Sequence, residues 1–127
     1  MNIKGVIIAL FTFLVLTACI EDSKKITFQN ETDNWIVEYT ATVKGEDQET
    51  NSLYVKYIGE GEAPDRIDYQ IEERSGGAGR TNATLEQGVL NSNLGSCSGC
   101  AVASENDEIE ITIKWDGTSE TIQLNSD

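Results

Sequence analysis

The chain has 127 residues, 22 of them Asp or Glu against nine Lys or Arg, for a formal charge of −13. The length is that of one domain, and the acidity excludes nucleic acid as a partner, because binding phosphates requires clustered cations. The chain contains no histidine, which excludes Ser-His-Asp and Cys-His catalysis and any two-His metal centre.

In chain order, residues 1–4 carry one cation, Lys4, and residues 5–16 (GVIIALFTFLVL) are apolar except for Gly5 and Thr12. The small residues Thr17 and Ala18 follow, then Cys19. This is the layout of a secretory signal. A helix of that apolar length reaches only ~18 Å at ~1.5 Å per residue, short of a hydrocarbon core of ~30 Å. Leu16-Thr17-Ala18-Cys19 resembles the lipobox of bacterial lipoproteins. The resemblance implies a diacylglyceryl group on the Cys19 sulfur, cleavage between Ala18 and Cys19, and a palmitate-type anchor in the cell membrane. Two acyl chains also meet the physical requirement for stable anchoring. The expected organisation is a signal peptide over 1–18, a lipidated N-terminus and short tether over 19–24, and a β domain over 25–127. Removing Lys4 leaves eight Lys or Arg against 22 Asp or Glu, a mature charge of −14. Such a charge keeps a tethered domain soluble and off anionic lipid.

Beyond the tether the hydropathy alternates with period two, the pattern of half-buried strands. Ile26 and Phe28 begin it, and Trp35, Val37, Tyr39, Ala41 and Val43 continue it. Leu53, Val55 and Tyr57 follow, then Ile67, Tyr69 and Ile71. Residues 75–80 (SGGAGR) read as a flexible loop, with short strands through Ala83 and Leu85 and at Val89-Leu90. Ile109, Ile111, Ile113 and Trp115 precede Asp116-Gly117, a preferred two-residue type I′ turn, and Ile122 and Leu124 close the pattern. That turn sets Ile111 opposite Ile122 and Ile109 opposite Leu124. Placing Val43 opposite Leu53, and Tyr57 opposite Ile67, builds a three-strand meander with one dry and one wet face. One dry face on each hairpin predicts an all-β, antiparallel two-sheet sandwich of immunoglobulin type, with six to eight short strands. The stretches 34–39, 64–69 and 108–115 resemble small uncharacterised lipoproteins of Bacillus-type Gram-positive bacteria. That resemblance implies location and no mechanism.

Cys97-Ser98-Gly99-Cys100 leaves an even pair once Cys19 is lipidated, which in an exported protein reads first as a structural disulfide. The competing reading is a thiol–disulfide redox protein using the same pair, which calls for a helix N-terminus to lower the thiolate pKa. Half of a zinc site would need two further ligands that the sequence does not offer. The glycines at 76–79 lack the Lys-Ser/Thr and the helix of a phosphate loop. The acidic runs 46–49 and 105–108 do not follow the spacing of a calcium loop and read as solvated loop charge, although a calcium-dependent envelope protein is kept as an alternative. Ile36, Tyr54 and Ile58 fall on the otherwise polar face and form a candidate partner surface. The sequence therefore points to a membrane-anchored extracytoplasmic module without catalytic residues, metal or cofactor. Its expected partners are the membrane, through Cys19, and an envelope protein or small ligand.

Overall fold

The computed structural model describes residues 23–74 and 76–126. The signal segment 1–18, the lipidation position Cys19 and residues 20–22 of the tether lie outside the described residues. Eight strands and no helix are found among the described residues: β1 (Ser23–Glu31), β2 (Trp35–Lys44), β3 (Gln48–Tyr57), β4 (Arg66–Glu73), β5 (Gly76–Thr84), β6 (Val89–Ser98), β7 (Ile109–Trp115) and β8 (Thr118–Ser126). β1 thus begins inside the stretch expected to be tether.

Alternation along these strands decides what is buried. In β2 the side chains of Trp35, Val37, Tyr39, Ala41 and Val43 point into the core and those between them are half-exposed. β4 repeats this with Ile67, Tyr69 and Ile71, and β7 with Ile109, Ile111 and Ile113. Together with Phe28, Leu53, Val55, Ile122 and Leu124 they form one continuous apolar core. Each such side chain contributes about 1.5–3 kcal/mol when fully buried.

All pairings are antiparallel, in the lateral order β5-β4-β7-β8-β1-β2-β3-β6. The halves β6-β3-β2-β1 and β5-β4-β7-β8 join where Phe28 pairs with Ser126 and Gln29 with Asn125. The free edges, β5 and β6, are consecutive in the chain and are drawn together by the Glu86–Val89 bridge. The all-β, antiparallel expectation holds. The hydrogen bonding, however, describes one nearly closed sheet and does not separate into two stacked sheets of immunoglobulin type.

The C-terminal hairpin has the expected register, with Ile111 opposite Ile122 and Ile109 opposite Leu124. Asp116 and Gly117 both have positive φ, 46° and 78°, as a type I′ turn requires. The expected meander does not form. β2 and β3 do pair, but Tyr39 faces Leu53 and Val43 faces Glu49. The turn over residues 45–47 is tight, with Gly45 at φ 65°, so β3 reaches back through the polar stretch 48–52. The slide is even, so every side chain keeps its face. β3 does not pair with β4 at all; it pairs with β6, and β4 lies between β5 and β7.

The glycine-rich stretch expected as a loop is strand β5, paired with β4 from Gly76 opposite Glu73 to Thr84 opposite Arg66. Glycine is needed at Gly77 for close approach to the neighbouring backbone. A Cβ on Gly77 would lie 2.6 Å from the carbonyl oxygen of Ile71, and one on Gly79 would meet Oε1 of Gln70.

The strand directions define two ends. Ser23 pairs with Lys44 and Gln48 with Ser98, so the start of β1 shares an end with the 45–47 turn and the cysteine pair. Trp35, Tyr57 and Trp115 gather at the opposite end.

Candidate functional site

Cys97 is the penultimate residue of β6 and is disulfide-bonded to Cys100. Gly99 between them has φ 74°, and the Gly99 and Cys100 amides both donate to the Asp47 carbonyl, at 2.8 and 3.3 Å. The cysteine pair therefore ends a strand and clasps a turn. No helix begins there, so the feature that depresses a thiolate pKa in redox pairs of this spacing is missing.

The chain after the clasp folds over this end of the barrel. Arg74 donates from Nη2 to the Val102 carbonyl at 3.1 Å and sets its Nη1 3.7 Å from Asp107 Oδ1. The Ser104 amide donates to Asp107 Oδ2 at 3.0 Å, and Lys24 pairs with Glu105 at 3.0 Å. The Ala103 amide donates to Oε1 of Glu49.

Beneath this segment lies a polar network. Asn51 donates from Nδ2 to Glu49 Oε2 at 2.8 Å and to the Tyr39 hydroxyl at 2.7 Å. Tyr39 in turn donates to Glu73 Oε2 at 2.8 Å. Glu49 is only 6% exposed, and its two oxygens are satisfied by Asn51 and Ala103, as a buried carboxylate requires. Burial pushes the Tyr39 phenol far above its ordinary range, and the hydrogen bond to Glu73 and the charges of Glu73 and Glu49 push the same way, opposed by Asn51. The neutral phenol is thereby favoured, in keeping with the bond it donates to Glu73.

This network corrects the reading of residues 46–49 as solvated loop charge at Glu49 alone; Glu46 and Asp47 are exposed, as expected. Glu49 belongs to β3 and shares the inward parity of Leu53 and Val55. Extending that parity backward through Asn51 is the signal by which the sequence could have revealed it. The other acidic run is closer to expectation: Glu105 and Glu108 are exposed, while Asp107 is drawn in by Arg74. No group of three or more His, Cys, Asp or Glu side chains placed to hold a metal is found among the described residues.

At the opposite end, Trp35 meets Tyr57 and Trp115 edge-on, with ring centroids 5.1 and 5.2 Å apart. Trp35 is fully buried, and its Nε1 has no hydrogen-bond partner among the described residues. Ile36, Tyr54 and Ile58 lie near this end, outside the core. Ile36 faces Lys56 and Tyr54 faces Glu38, which makes Ile36 and Tyr54 diagonal neighbours on the outer side of β2 and β3. Both are half-buried, whereas Ile58, just past the end of β3, is 37% exposed. The Ile58 amide is fixed by the Asn34 carbonyl at 2.8 Å.

No protein-family model, no curated protein and no solved structure matches this chain. No helix among the described residues is long and apolar enough to cross a membrane, which says nothing of strands.

Proposed function

We propose that the chain is a lipid-anchored extracytoplasmic lipoprotein whose β domain is a non-enzymatic interaction or ligand-binding module. The observation that carries this reading is the cysteine arithmetic. Of three cysteines, Cys97 and Cys100 are bonded to each other, a state suited to an oxidising compartment. That leaves one cysteine, Cys19, and it stands directly behind an apolar run and two small residues.

Strand direction adds an orientation. β1 starts at the clasp end, so an anchor on Cys19 holds that end toward the membrane. The Trp35 end, with Ile36 and Ile58 beside it, then faces away and is available to a partner.

Two measurements test the reading. Intact mass of the membrane-extracted protein is expected to match a chain starting at Cys19 with a diacylglyceryl group, and C19A is expected to lose membrane retention. A full-length, unmodified chain in the membrane fraction would overturn the anchor. Photocrosslinking from position 58 is expected to capture an envelope partner in the wild type and not in I36K/Y54K. Equal capture by both would remove that surface.

The redox alternative is not favoured by any contact at Cys97 or Cys100; a reduction potential below about −300 mV, typical of structural disulfides, would remove it. The calcium alternative predicts a rise in melting temperature with added calcium.

A further inference from the structure

Three cations, Arg66, Arg80 and Lys114, converge on one outer surface of a strongly acidic chain. Arg66 is on β4, Lys114 on β7 and Arg80 on β5, and all three are exposed. Asp68 of β4 lies directly opposite Lys114. Two adjoining clefts share Asp68 and Lys114: one of ≈ 470 Å³ that also includes Arg80 and Thr112, and one of ≈ 360 Å³ that also includes Arg66 and Asn82. None of the three cations is in an ion pair among the described residues, whereas Lys24 and Arg74 each have a carboxylate partner.

The backbone is specially shaped at this place. The β4–β5 ladder slips between Ile67 and Tyr69, and Asn82 in the slip has φ 60°, a left-handed conformation that Asn adopts more readily than most residues with a side chain. Its amide donates to Asp68 Oδ1 at 2.7 Å, and Arg66 reaches Asn82 Oδ1 at 3.4 Å. Of the two carboxylates that border the clefts, Asp68 is thereby engaged by the bulge, and Asp116 lies in the hairpin turn at the rim of the smaller one. Bulges of this kind re-aim side chains and are frequent beside functional sites.

Charge is also sorted along the same strands. At their other end Glu72 lies directly opposite Glu110, and Glu72, Glu73, Glu108 and Glu110 line a separate cleft. Like charges placed opposite one another destabilise a sheet, so an arrangement that gathers cations at one end and carboxylates at the other is not the one that stability alone selects. An anion approaching this protein is repelled by most of its surface; Lys25, Lys44 and Lys56 are exposed as well, but Arg66, Arg80 and Lys114 are set together around adjoining clefts.

We propose that the surface formed by Arg66, Asp68, Arg80, Asn82, Thr112 and Lys114 binds a polyhydroxylated solute carrying an oxyanion, phosphate or carboxylate. The three cations hold the oxyanion. The side chains of Asp68, Asn82 and Thr112 offer donors and acceptors to hydroxyl groups. The clefts are open and sugar-sized, and they lie toward the Trp115 end, away from the clasp. The site is independent of the lipid anchor and of the Ile36 surface.

The test is a titration of the full chain in detergent micelles with glucose 6-phosphate and with glucuronate, followed by calorimetry, with glucose and inorganic phosphate as comparisons. Saturable binding of at least one anionic sugar is expected below about 10 mM, weaker as salt is raised. R66Q/R80Q/K114Q is expected to weaken it at least about tenfold, and K114Q alone about threefold, because each removes a fixed cation from the ligand. K25Q/K44Q/K56Q removes the same total charge elsewhere and is expected to leave binding unchanged. C19A is expected to bind as the wild type does, so failure of the anchor and failure of this site are separable. The proposal is overturned by absence of saturable binding, by glucose or inorganic phosphate binding as tightly as the anionic sugars, or by equal weakening in the two triple variants.

Discussion

The hydroxyl of Tyr39 donates to Glu73 at 2.8 Å, and that one bond ties β2, in one half of the sheet, to the end of β4 in the other. Among the described residues the strand pairing that joins the halves is the short β1–β8 ladder, so a side-chain bond across the barrel end supplements a short backbone seam. Losing one buried hydrogen-bonding partner costs about 1–3 kcal/mol. Y39F is expected to lower the unfolding free energy by that amount, read as a lower urea midpoint with an unchanged denaturant slope. No change in midpoint would show that Glu73 and Asn51 are satisfied without the phenol.

The same residue sets an alkaline limit. The Tyr39 phenol is raised above its usual 10.0 by burial first and then by Glu73 and Glu49. A group whose folded pKa lies above its unfolded value contributes stability that is complete below the unfolded value and is lost as pH climbs through the folded one. Stability is therefore expected to fall above pH 10.0 by up to about 1.4 kcal/mol per pH unit from this group. Urea titrations at successive alkaline pH values check this. Y39F is expected to lack that component of the slope.

Glu49 is both the buried end of the network and the peg for the covering segment through the Ala103 amide. E49A removes two acceptors and leaves Asn51 and Ala103 short of a partner. A loss of about 1–3 kcal/mol is expected, with faster hydrogen exchange at Ala103. Unchanged protection of that amide would show that Arg74 and Asp107 suffice to hold the segment.

The Cys97–Cys100 ring encloses four residues, and chain-entropy reasoning assigns so short a ring at most about 2 kcal/mol. C97S/C100S is expected to fold, with a modestly lower melting temperature under non-reducing conditions. Failure to fold would mean that the clasp also determines the path of residues 99–108.

Gly77 and Gly79 separate two kinds of close approach. A methyl at Gly77 meets the Ile71 backbone oxygen, whereas a methyl at Gly79 meets first the end of the Gln70 side chain, which can swing aside. Overpacking costs about 1–3 kcal/mol, and G77A is expected at the upper part of that range with G79A below it. Thermal melts of the two variants provide the comparison, and a reversed order would place the true constraint at Gln70.

The sequence alone determined which side chains face inward. A period of two assigns the faces of Val37, Tyr39, Ile67, Ile111 and Leu124 whatever the neighbouring strand is, and all five are buried. It also determined the Asp116-Gly117 hairpin, because a turn with positive φ at both residues forces its own register. Which strands lie side by side was decided only by the tertiary structure. The β3–β4 pairing that parity permits is replaced by β3–β6 and β4–β7, since alternation is satisfied equally by any partner with a dry face. The burial of Glu49 needed the 99–108 segment to arrive from a distant part of the chain. The gathering of Arg66, Arg80 and Lys114 likewise depends on lateral strand order and on one bulge, and neither leaves a periodic trace in the sequence.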